Sequence, residues 1–167
     1  IVRLIEPLES QLDYLIIDAP AGIEENALCF AAASDEICLV LTGDPTSFMD
    51  AYATVKVLSL EKKIDRITVI VNMVDTIQAG NSIFKRFEQI VCKFLPATLT
   101  LAGIIPTKKK IKNSVQNRQP IMRASNVDEE TKLILDICDS VVTNVRSRNP
   151  GEFSFFQGLL AGNEIGE

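Results

Sequence analysis

Four short apolar runs recur along the chain, with stretches of helical periodicity between them: Tyr14-Leu15-Ile16-Ile17, Ile37-Cys38-Leu39-Val40-Leu41, Ile67-Thr68-Val69-Ile70-Val71-Asn72 and Leu99 to Ile105. No other feature restricts the fold as much. Parallel strands covered by helices on both faces read as near-continuous apolar runs, and strand-helix alternation calls for right-handed crossovers. The expected fold class is therefore α/β, a doubly wound, mostly parallel sheet with helices on both faces. At 167 residues and 47% apolar, the chain can bury the core of one such domain, and it contains no repeat or low-complexity segment that would divide it.

The intervening segments support this class. Ala27 to Ala33 supplies small and apolar residues behind Glu24, Glu25 and Asn26, which suit a first helical turn. Pro45 to Glu61 places Phe48, Tyr52, Val55 and Leu58 at three- and four-residue spacing, with Asp44, Thr46 or Ser47 available as its cap. Ile83 to Leu95 carries Phe84, Phe87, Ile90, Val91 and Phe94 on one side. A lysine-rich helix from Lys108 to Asn117 follows the last strand. A long helix from Val127 to Arg146 then opens on Asp128, Glu129 and Glu130 and is closed by Arg146 and Arg148, as the helix dipole favours.

The first apolar run ends in Asp18-Ala19-Pro20-Ala21-Gly22. An acid at the carboxyl end of a parallel strand faces the crevice where open α/β sheets take ligands. Pro20 fixes one backbone dihedral, and Gly22 permits a positive φ that lets an amide approach a phosphate closely. A strand ending in Asp before an ordinary turn is the alternative.

Composition narrows the chemistry. The chain has no histidine and no tryptophan, so imidazole bases, His metal ligands and Ser-His or Cys-His pairs are excluded within it. Cys29, Cys38, Cys92 and Cys138 show no Cys-x-x-Cys spacing and read as reduced, buried packing groups of a cytosolic protein. A net charge of −5 argues against direct nucleic-acid binding. Against that balance, Lys108, Lys109, Lys110, Lys112 and Arg118 form a basic run, either a solvated face or a contact for phosphate or an acidic partner. No stretch has the length of a transmembrane helix.

Leu15-Ile16-Ile17-Asp18-Ala19-Pro20-Ala21-Gly22-Ile23 resembles the Walker B strand and switch II turn of the MinD/ParA-like P-loop ATPases. Asp44-Pro45-Thr46-Ser47, Val71-Asn72-Met73-Val74, Gly103-Ile104-Ile105-Pro106 and Val115 to Pro120 continue the likeness in order, and are most similar to the flagellar-number regulator branch (FlhG/FleN). The resemblance covers residues 12 to 145. It implies ATP and Mg²⁺ as cofactors, with Asp18 as the catalytic, Mg²⁺-holding acid acting through water. Pro20, Ala21 and Gly22 would sense the γ-phosphate, Asn72 and Pro106 would flank the adenine, and Asp50 would lie near a dimer face. Read without the family, Asn72 is equally a turn residue, Pro106 a helix start and Asp50 a solvated acid.

None of the 8 glycines precedes a Lys-Ser/Thr pair, so the phosphate-cradling loop of that family is not in this sequence. The expectation is an incomplete P-loop NTPase domain, the C-terminal portion of a longer ATPase, lacking the P-loop strand. In the family that strand lies between the Walker B strand and the next, so the sheet should show a gap or a new pairing. Residues 1–148 would form the domain and 149–167 a tail. The tail carries Phe153, Phe155, Phe156, Leu159 and Leu160 with Glu152, Glu164 and Glu167, and reads as disordered or packed on the domain more readily than as a membrane anchor.

The implied function is that of an ATP-dependent, dimerising regulator of flagellar number or placement, acting through partner proteins in the cytoplasm, with peripheral membrane association less favoured. ATP hydrolysis belongs to the longer parent and is not expected of this chain alone. A nucleotide-independent interaction module of the same fold and a MinD-type division-site regulator are the alternatives.

Overall fold

In a computed structural model, the structure describes residues 11–20, 22–123 and 128–148. The elements run α1 (Glu25–Ala33), β1 (Cys38–Leu41), α2 (Pro45–Leu60), β2 (Arg66–Val74), α3 (Ile77–Phe94), β3 (Thr98–Pro106), α4 (Lys109–Gln116), a 3₁₀ turn (Ile121–Arg123) and α5 (Glu129–Arg148). The three strands form one parallel sheet in the order β1-β2-β3.

Side-chain alternation along the strands assigns the helices to faces. A Cβ on Gly80 of α3 would lie 2.3 Å from Ile104 Cγ2, whereas one on Gly103 would lie 2.4 Å from Ile137 Cγ1 of α5. Gly103 and Ile104 are neighbours in β3, so α3 and α5 cover opposite faces, as a doubly wound sheet requires. Helix α2 joins α3: the Phe48 and Phe87 rings meet edge to face at 5.0 Å, and the Arg86 guanidinium lies 5.7 Å from the Phe48 centroid. Between these helices and the sheet lies the main core, which includes Leu41, Val55, Leu58, Ile67, Val69, Val71, Phe87 and Val91. The α5 face is more polar. Thr68, fully buried, accepts a hydrogen bond from Asn144 Nδ2 at 3.3 Å, satisfying a hydroxyl that would otherwise be costly inside.

Several expectations are corrected. Tyr14–Ile17, read as a buried strand, forms no strand: Ile16 is 90% exposed and Tyr14 53%. An apolar run becomes a strand only when a neighbour completes its backbone ladder, and among the described residues β1 pairs with β2 alone. Neither the gap nor a new pairing expected within the sheet is seen among the described residues: β1, β2 and β3 are contiguous, and residues 14–17 add no strand beyond β1. No disulfide joins the cysteines among the described residues, and all four are exposed rather than buried. For Cys38 the reason is visible: it alternates with Leu39 and Leu41, whose face carries the core, and Val40, on the same side as Cys38, is also exposed.

The cap of α2 differs as well. Asp44 makes no side-chain bond to the helix; its carboxylate accepts from Thr42 Oγ1 at 3.2 Å, and Ser47 Oγ accepts from the Thr42 amide at 3.1 Å. Finally, α3 begins at Ile77, six residues before the expected Ile83. Thr76 Oγ1 caps it by accepting from the Ala79 amide at 3.1 Å, satisfying one of the orphan donors of the first turn. Phe94, expected on the packed side of that helix, is 62% exposed with Lys93 Nζ 5.2 Å from its ring centroid. The apolar tail segment of 149–167 lies outside the described residues.

Candidate functional site

The carboxyl edge of the sheet is where the helix-strand layers leave a crevice in this fold class. At this edge Asn72 pairs in register with Ile105, and Val74 with Pro106, and the Thr107 amide donates to the Val74 carbonyl at 2.8 Å. Asn72 and Pro106, predicted from far-separated parts of the sequence, are thus brought to adjacent strand ends.

A bulge shapes this edge. The register of β2 against β3 shifts between Asn72 and Val74, and the intervening Met73 adopts φ 57° with its side chain 69% exposed. Such a φ is unfavourable for a residue with a Cβ, and bulges of this kind commonly re-aim side chains near sites. Asn72 Oδ1 accepts from the Met73 amide at 2.8 Å and so stabilises the bulge locally. That bond uses only the oxygen of the carboxamide. Asn72 is half-buried and Pro106 buried.

Asp18 is not brought into this group by the sheet. It lies in the irregular segment 14–20 and is exposed, as is Pro20. Gly22 does adopt the positive φ its position suggested, +121°. Ala21 lies outside the described residues. Asp50 is exposed on α2, where its backbone carbonyl accepts from Thr54 Oγ1 at 2.9 Å. Among the described residues no three His, Cys, Asp or Glu side chains gather as a metal cage. A single carboxylate completed by waters and phosphate oxygens is a normal Mg²⁺ environment, so Asp18 fits that ion in kind. The described residues offer no glycine-rich loop to cradle phosphates. Asn72 and Pro106 are held by the sheet, whereas Asp18 and Pro20 are not.

Close to this edge lies an electrostatic joint that composition did not reveal. Asp128 stands just before α5 and accepts through Oδ1 from the Thr131 amide and hydroxyl, at 3.0 and 2.8 Å, while its other oxygen forms a salt bridge with Lys110 of α4. The Lys110 ammonium, and then the two Thr131 donors, hold the Asp128 carboxyl at about 2, below its ordinary 3.8. The Asp-x-x-Thr spacing was the readable signal for the cap; the partnership with Lys110 had none, because eighteen residues separate the two.

Comparison with known proteins agrees with the architecture. The ParA family model, described as NUBPL iron-transfer P-loop NTPase, matches residues 4–142. The chain is 27% identical over 157 residues to the antiactivator FleN of Pseudomonas aeruginosa, covering 93% of the chain and 56% of FleN. It is 32% identical over 162 residues to the flagellum site-determining protein YlxH of Helicobacter pylori, covering 93% of the chain and 54% of YlxH. Similarity to the septum site-determining protein MinD of Synechocystis is 31% over 121 residues, 71% of the chain and 43% of MinD. The chain thus spans about half the length of the curated relatives it matches. A parallel sheet flanked by helices on both faces, together with a family match over residues 4–142, leads to one assignment: the chain belongs to the ParA family of P-loop NTPases.

Proposed function

We propose that this chain contributes to an ATP-dependent, dimerising regulator that controls flagellar number or placement through partner proteins. The observation that carries the nucleotide part of this reading is the juxtaposition of Asn72 and Pro106 on paired strand ends beside the Met73 bulge. Asn72 offers hydrogen bonds to the edge of the adenine and Pro106 an apolar surface near the base. Asp18 holds Mg²⁺ through water, and the Pro20 to Gly22 turn senses the γ-phosphate. When bound, Mg²⁺ and ATP supply the switch: the ion neutralises phosphate charge, and hydrolysis removes the γ-phosphate contact. Asp50 contributes to the dimer face. The flagellar assignment rests on the likeness to FleN and YlxH, and a division-site role on the weaker coverage of MinD.

A nucleotide-independent interaction module is the second reading, favoured by the position of Asp18 outside the sheet. Calorimetric titration of the full-length protein with Mg-ATP separates the two. Asn72→Ala is expected to weaken nucleotide binding about 5- to 10-fold, the loss of one or two modest hydrogen bonds. Asp18→Ala is expected to abolish ATP-dependent dimerisation, read by light scattering, with the fold intact by circular dichroism. Wild-type affinity in the first variant and wild-type dimerisation in the second would overturn the nucleotide reading.

A further inference from the structure

We propose that α4 is a docking helix for an acidic amphipathic segment of a partner protein. Helix α4 is strongly amphipathic in sequence, yet none of its residues is buried. Ile111 and Val115 are four apart and share one helix face. Val115 is 73% exposed, and Met122, just beyond the helix, is 44% exposed. An amphipathic helix normally forms because its apolar stripe is covered. Here, among the described residues, Ile111 is half-buried and the Val115 end of the stripe is open.

Charge says what kind of occupant fits. The run Lys108 to Arg118 holds five cations and no acid, in a chain of net charge −5. Lys110 is committed to Asp128, which anchors α4 to the head of α5; Lys108, Lys109, Lys112 and Arg118 are exposed around the stripe. Both ends of the mount are fixed. Beyond the helix the Gln119 amide donates to Ser114 O at 2.9 Å and the Arg118 amide to Val115 O at 3.1 Å, with Arg118 at φ 52°. Glycine is the usual residue at such a left-handed terminator, so a cation stands where backbone preference alone would not put one.

An apolar stripe ringed by cations matches a helix carrying apolar anchors among acids. A lipid surface fits less well: two aliphatic side chains and one Met give little insertion area, and an acidic chain is repelled by anionic lipid. Nucleic acid fits less well too, since residues 107 to 123 contain no aromatic group to stack on bases.

The test uses the full-length protein without nucleotide, so its outcome is distinguishable from that of the ATP reading. The probe is a fluorescein-labelled synthetic 16-residue peptide with leucines on one helix face and glutamates elsewhere, followed by anisotropy. We expect it to bind at least about tenfold more tightly than a scrambled peptide of the same composition, and more weakly as salt rises. Val115→Asp and Lys112→Glu, both at exposed positions, are each expected to lose about tenfold or more in affinity with unchanged melting temperature. Lys62→Glu, remote from α4, is expected to lose nothing. Equal binding of the scrambled peptide, wild-type affinity in both α4 variants, or binding of phosphatidylglycerol vesicles or duplex DNA in place of the peptide would overturn the proposal.

Discussion

Replacing Gly80 by Ala sets helix propensity against packing, and the structure decides the sign. Gly80 lies inside α3 with a helical, negative φ, so Ala meets no backbone obstacle and by propensity alone stabilises a helix by about 1 kcal/mol. The new Cβ, however, would fall 2.3 Å from Ile104 Cγ2 and 3.2 Å from Ile104 Cγ1 and Cδ1. Ile104 is 5% exposed in β3, and its Cγ2 sits on a β-branched carbon that cannot swing aside as a flexible side-chain end can. Overpacking of this kind costs about 1–3 kcal/mol, and an overlap exceeding an ångström belongs to the upper part of that range. The net expectation is a loss of about 1–2 kcal/mol, or roughly 2–8 °C in melting temperature for a chain of this length.

Urea unfolding followed by circular dichroism at 222 nm measures it. Two comparisons isolate the cause. Gly43→Ala, whose Cβ would meet only Ile83 Cδ1 at 3.5 Å, should be neutral or stabilising by about 0.5 kcal/mol. Ile104→Leu removes the clashing Cγ2, so the double variant Gly80→Ala/Ile104→Leu should be more stable than the two single losses added together, by at least about 0.5 kcal/mol. A Gly80→Ala protein more stable than wild type, or strict additivity in the pair, would refute the close approach of α3 to β3.

Phe87→Ala should cost about 3–5 kcal/mol, because the ring is fully buried and packs edge-on against Phe48; Phe94→Ala in the same helix, 62% exposed, should stay within about 1 kcal/mol by the same urea assay. The folded-state pKa of Asp128 is lowered, so its contribution to stability is complete above its ordinary 3.8 and is lost as pH falls through about 2. Asp128→Asn should therefore flatten the acid limb of the stability profile between pH 4 and 2 relative to wild type. The effect should shrink in high salt, since both members of the pair are about one-third exposed; an unchanged acid limb would remove the pair from the stability argument.

What the sequence could disclose depended on whether a residue's environment was local. Ile67 to Val71 and Leu99 to Ile105 were legible as strands because burial writes apolar runs directly into sequence. Tyr14 to Ile17 wrote the same run without becoming a strand, because hydrophobicity records a preference for burial and carries nothing about which neighbour completes the ladder. The exposed Cys38 and Val40 follow similarly: β1 has the composition of a strand covered on both faces, and only its Leu39 and Leu41 side is packed.

At the candidate site, Asn72 and Pro106 were named only through the family resemblance, and their adjacency depends on the parallel register of β2 and β3. The Met73 bulge depends on a slip in that register, which no local motif marks because Met is not a residue that favours positive φ. The Lys110–Asp128 joint needed the fold for the same reason. Its consequence is specific: by tying α4 to the start of α5, that bridge holds the cation-ringed stripe of Ile111 and Val115 at the end of β3, on the same sheet edge as Asn72 and Pro106. A partner gripping α4 would therefore sit beside the residues proposed to meet the nucleotide, which gives partner binding and nucleotide state a short physical route by which to influence each other.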